Sequence, residues 1–171
     1  QIQINQTEIF NGMIYAACGS NAGIRRAPLS NPNLIDFEQW TSIASGNYTA
    51  IESTVDNLYA LELNGVLNEV NNGALTPVFN YPQLPSDLRF NNDNLLVTTP
   101  STTFVYNSTF NLQGTINTTE TIQAAFNQST IVNDDIYIAT TGFGVLKTRI
   151  GNIEEPLEIR PEGPLSNRGF K

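Results

Sequence analysis

The chain has 171 residues, 40% of them hydrophobic, which is enough for a domain with a real core, yet only 14% are charged and its polarity comes from Asn, Thr, Ser and Gln. A formal net charge of -8 with no run of Lys and Arg argues against nucleic acid and against an anionic membrane surface as partners. No apolar run approaches the roughly 20 residues of a spanning helix, so no membrane insertion is expected.

Taken in chain order, the predicted elements repeat one unit: a turn pair, an apolar β-rich stretch, a tight turn and a second apolar stretch. It begins with Asn11-Gly12 and Met13 to Ala17, leading to Gly23-Ile24. It recurs at Asp56-Asn57 with Leu58 to Leu61, at Asp93-Asn94 with Leu95 to Thr98, and at Asp134-Asp135 with Ile136 to Thr140. Tyr15, Tyr59, Leu96 and Tyr137 hold equivalent places, separated by 44, 37 and 41 residues. That period suits a four-stranded propeller blade and is too long for ankyrin or leucine-rich repeats. HEAT and armadillo repeats share the period but are helical, and no segment here carries an i, i+3, i+4, i+7 stripe.

The expected fold is therefore all-β, a β-propeller segment over residues 1–171 whose four four-stranded blades are part of a larger ring of about seven. Four blades are placed at about 2–43, 48–79, 88–116 and 122–159, and residues 160–171 are read as the start of a further blade. The second strand of each blade, the most continuously apolar, should be covered on both faces. Pro28 to Asn33 and Tyr81 to Pro85 cannot continue a central strand and are read as loops. An open arc leaves two uncovered faces, so either further blades complete the ring or two chains associate about a common axis.

Two stretches resemble a known family. The first runs from Tyr15-Ala16-Ala17 through Gly23 to Leu34 and on to Trp40-Thr41. The second runs from Gly142 to Lys147 and through Pro161-Glu162-Gly163-Pro164-Leu165-Ser166-Asn167. They look like the N-terminal propeller of PorZ-type proteins of Bacteroidetes, which are related to two-component regulator propellers. The resemblance implies a type IX secretion system component in the periplasm or at the outer-membrane cell surface, an exported protein whose partners are other proteins of a secretion or surface assembly, with surface glycan as a further candidate. In that family lipopolysaccharide contact is attributed to a C-terminal β-sandwich, so no binding residue carries over. The alternative is the periplasmic glycan-sensing propeller of a hybrid two-component regulator, which a downstream membrane span and kinase domain would mark. A carbohydrate-active propeller enzyme ranks a remote third.

Candidate chemistry is sparse. The sequence has no His, which removes Ser-His-Asp and Cys-His catalysis and His-based zinc sites. Cys18 is the single cysteine and is expected as a buried, inert thiol. The carboxylate pairs Asp134 with Asp135 and Glu154 with Glu155 read as turn and loop residues rather than catalytic or calcium-binding ones. Gly142 and Gly144 read as a tight turn, not a nucleotide fingerprint. Trp40, with Leu34, Ile35, Phe37 and Ile43, is assigned to packing between blades rather than to a sugar platform. Arg25, Arg26, Lys147 and Arg149 could form a basic strip, though a solvated strand face is the simpler reading. Five Asn-x-Ser/Thr triplets, at Asn5, Asn47, Asn107, Asn117 and Asn127, are near the number this composition gives by chance. No catalytic residue, metal or cofactor is assigned, and the chain is read as a non-enzymatic interaction scaffold.

Overall fold

The computed structural model describes residues 2–118 and 124–150, and the backbone of 157–158. The first sheet holds β1 (Ile4–Phe10), β2 (Met13–Cys18), β3 (Gly23–Pro28) and β4 (Thr41–Ala44). The second holds β5 (Tyr48–Ser53), β6 (Leu58–Glu62), β7 (Val66–Asn71) and β8 (Ala74–Asn80). In the third are β9 (Asp87–Asn91), β10 (Asn94–Thr98), β11 (Thr102–Asn107) and β12 (Leu112–Asn117), and in the fourth β13 (Phe126–Val132), β14 (Asp135–Thr140) and β15 (Gly144–Arg149). Each of these sheets is an antiparallel meander in chain order. No helix among the described residues is long and apolar enough to cross a membrane.

Hairpin chemistry explains the meanders. Two-residue loops whose central residues both have positive φ match the twist of the flanking strands. Asn11-Gly12, Asn72-Gly73 and Asn92-Asp93 all adopt that conformation, with Asn at the first central position of each turn. A register shift recurs at the start of the first hairpin in three sheets, between Ile4 and Gln6, Tyr48 and Ala50, and Phe126 and Gln128. Such bulges raise the local twist.

The sheets are arranged radially. The first strands are neighbours in succession, β1 with β5, β5 with β9 and β9 with β13, whereas the outer strands β4 and β8 barely meet. Sheets that converge at their first strands and splay at their last ones make a propeller arc of four blades.

Apolar layers fill the three gaps. Between the first two blades Tyr15, Ala17 and Ile24 meet Ile51, Leu58, Ala60 and Val70. Between the second and third, Tyr59, Leu61 and Leu67 meet Leu88, Leu95, Val97 and Tyr106. Between the third and fourth, Leu96, Val105 and Ile116 meet Phe126, Ile131, Ile136, Ile138 and Leu146. The second strands β2, β6 and β10 are buried over most of their length, as expected for strands covered on both faces, whereas in β14 only Ile136 and Ile138 are buried.

Two expectations differ from the structure. Leu157–Glu158, expected inside the fourth blade, forms β16, which pairs in parallel with β12 through Ile116 and Leu157. It thereby satisfies backbone groups on the free outer edge of the third sheet. Ile35 and Phe37 do not pack between blades: they are 99% and 62% exposed. Residues 29–40 form a loop fastened by its own hydrogen bonds, Asn31 Nδ2 to Gln39 Oε1 and Trp40 Nε1 to Leu34 O at 2.9 Å. Ile43 does join the first layer. The expected further blade at 160–171 lies outside the described residues.

Candidate functional site

The strands nearest the axis carry a chain of acidic and polar groups. The hairpin registers place Glu8 opposite Tyr15, Glu52 opposite Tyr59, Arg89 opposite Leu96 and Thr130 opposite Tyr137, so these four occupy one repeat position. Each reaches toward a neighbouring blade or its own strand. Ser53 Oγ donates to Glu8, Gln6 Nε2 donates to Glu52 at 2.8 Å, and the Phe90 backbone N–H donates to the other Glu52 oxygen at 2.9 Å. Glu52 thus joins the first, second and third blades. Thr130 Oγ1 donates to Asn91 Oδ1 at 3.1 Å, and Asp87 accepts from the Ser129 N–H at 3.2 Å.

Burial sets the electrostatics of this wall. Desolvation pushes the Glu52 carboxyl above its usual range and the Glu8 charge adds to it, while the Phe90 N–H, Arg89 and Gln6 oppose. Desolvation likewise raises Asp87, against Arg89, whose Nε lies 3.7 Å from Asp87 Oδ1. Carboxylates already occupied by donors from the next blade act as ties between blades. Sequence reasoning passed over Glu8 and Glu52, although the Asn11-Gly12 hairpin fixes the register that sets Glu8 opposite Tyr15.

The residues singled out by sequence fall elsewhere. Asp135 is bound by Lys147 Nζ at 2.8 Å and Arg149 Nε at 3.1 Å, and the Lys147 bond leads the effects that hold its carboxyl below the ordinary range. Its charge is compensated by cations of its own blade. Among the described residues no group of three or more Cys, Asp or Glu is placed to hold a metal ion. Glu154 and Glu155 lie outside the described residues. Cys18 is fully buried, and burial pushes its thiol up. Arg25 and Arg26 lie in the first blade, Lys147 and Arg149 in the fourth, so the four belong to the two end blades of the arc. Gly142 and Gly144 both take positive φ in the tight turn between β14 and β15. The sequon amides serve the fold: Asn5 Nδ2 donates to Tyr48 O at 2.7 Å, Asn47 and Asn21 bond each other, and Asn107 Oδ1 accepts three bonds within its own loop.

The arc's fold defines a β-propeller, and solved structures agree. No protein-family model matches the sequence, and a search of curated proteins gives no match. Hsv2p of Kluyveromyces lactis is similar over 88% of this chain and 50% of its own, with 11% identity and a TM-score of 0.64. The computationally designed Ika4 protein matches over 88% of this chain and 93% of its own, with 11% identity and a TM-score of 0.65. PorZ of Porphyromonas gingivalis, a surface component of the type IX secretion system, matches over 94% of this chain and 21% of its own, with 12% identity and a TM-score of 0.68. The chain spans about half the length of Hsv2p.

Proposed function

We propose that the chain is a non-catalytic interaction propeller of a bacterial surface assembly, a type IX secretion component of the PorZ kind. The axial wall supports the non-catalytic part: Glu8, Glu52 and Asp87, the acidic groups nearest the axis, are engaged by donors from the next blade and hold the arc together. The surface role rests on the fold shared with PorZ over 94% of the chain, together with the resemblance of the stretches around Gly23 to Trp40 and Gly142 to Asn167. Its place is the periplasm or the outer-membrane surface, and its partners are proteins of that assembly.

Deletion of the gene in the native host tests this, with type IX cargo followed by fractionation. The expected result is cargo retained in the periplasm and restored to the surface by the gene in trans. Cargo secreted normally by the deletion strain would refute the assignment.

A further inference from the structure

The repeat makes it possible to ask what should cover each end of the arc. Three third-strand residues share one position by register: Ile24 opposite Ala17, Leu67 opposite Leu61 and Thr103 opposite Thr98. Each lies in an inter-blade layer with no exposed surface. Val145, opposite Ala139, is the fourth member of the set and is 54% exposed. Tyr137 follows suit: its counterparts Tyr15, Tyr59 and Leu96 are buried, while it is half-buried with the Lys147 ammonium 5.7 Å from its ring.

The first blade repeats the observation on its opposite side. Ile14 corresponds to Leu58, Leu95 and Ile136, all buried against a preceding blade, yet Ile14 is only half-buried and its partner Ile9 is 54% exposed. Ile4 is exposed as well, and Arg25 Nε, paired across from Ala16, is buried without an acceptor. The two ends are therefore the two halves of one kind of interface, a following face on the fourth blade and a preceding face on the first.

We propose that these faces pair with those of a second copy of the chain, the fourth blade of each against the first blade of the other, closing a ring of eight blades about a two-fold axis. A copy brings both complementary halves, and the contact continues the interface already repeated three times within the arc. Charge also complements. Arg149 and Lys147, 70% and 53% exposed, lie toward the end of β15, and the loop that leaves the equivalent strand of the first blade carries Asp36 and exposed Glu38.

The test is the mass of the 171-residue chain in solution by light scattering across a concentration series, for wild type, Ile9→Glu and Val145→Glu. Wild type is expected at twice 18.8 kDa. Either substitution places a charge in both interfaces and should raise the dimer dissociation constant by about tenfold or more. Mixing the two variants should recover dimer, because a mixed pair has one interface with both substitutions and one with neither. Circular dichroism confirms folding, and Ile4→Glu with Val132→Glu is the replacement pair should a first variant unfold. A wild-type chain that stays at 18.8 kDa at all concentrations, a dimer indifferent to both substitutions, or no recovery on mixing would each overturn the proposal.

Discussion

Glu52 is the residue whose removal should loosen the most blades at once. Glu52→Ala deletes the acceptor of two hydrogen bonds, from Gln6 Nε2 at 2.8 Å and the Phe90 N–H at 2.9 Å. A hydrogen bond to a charged group has a net worth of about 1.5–3 kcal/mol, but both donors are half-buried and regain some water, so a total loss of about 2 kcal/mol is expected. For a chain of this length each kcal/mol shifts Tm by about 2–4 °C, giving a fall of about 4–8 °C. Glu52→Gln keeps a carbonyl for the Phe90 N–H and should lose about half as much. The pH dependence adds a second reading. Burial raises the folded carboxyl above its unfolded value, so the folded state holds the proton more tightly. The stability this group contributes is fully present below the unfolded pKa of about 4.3 and is lost as pH rises through the folded pKa. Thermal melts at about pH 7 and about pH 4.5 should therefore show the gap between wild type and Glu52→Ala widening on acidification. A gap that narrows on acidification, or a variant as stable as wild type at both values, would refute this account of the axial wall.

Two further perturbations probe the layers. The Tyr81 hydroxyl donates to the Tyr106 hydroxyl at 3.1 Å in the buried aromatic layer between the second and third blades. Tyr81→Phe strands the Tyr106 hydroxyl and should cost about 1–2 kcal/mol by urea denaturation, whereas the double change to Phe should recover most of it; a double variant no more stable than the single one would contradict the pairing. At Gly23 an added Cβ would stand 1.7 Å from Ala44 O with φ at +74°, whereas at Gly12, with φ at +73°, it would meet nothing within 4 Å. Gly23→Ala should then cost clearly more than the roughly 1–2 kcal/mol of left-handed backbone that Gly12→Ala incurs, and equal losses in thermal melts would count against the close approach.

The parts of this fold legible in sequence are those written locally. The second strands stand out because covered strands need unbroken apolar runs, and the hairpins stand out because Asn-Gly supplies two positive φ values in sequence. Long-range matters were hidden. Glu52 reaches residues 38 and 46 positions away, and nothing near it in sequence distinguishes it from a solvated carboxylate. Ile35 and Phe37 look like core residues by type, but the alternation Ile35-Asp36-Phe37-Glu38 enters a 3-10 turn capped by the Asp36 side chain, which lifts both out of the layers. β16 was misplaced for a similar reason: two residues carry too little pattern to say which blade edge they join.

Register also separates a repeat from a resemblance in composition. The three layers differ chemically: small Ala17 and Ala60 sit in the first, stacked Tyr106 and Phe110 in the second, and a buried Thr98–Ser129 hydroxyl pair flanks the third. A search for like residues would find no common interface, yet Ile24, Leu67 and Thr103 occupy one position and are equally buried. What the three share is a place in the blade from which water is excluded by the next sheet. Val145 holds that place with no sheet over it among the described residues, and a valine left half in water forgoes part of the roughly 1.5–3 kcal/mol its full burial would contribute. The exposed end faces therefore mark where this arc has free energy still to gain, and a second copy supplies the missing surface at both ends in one step.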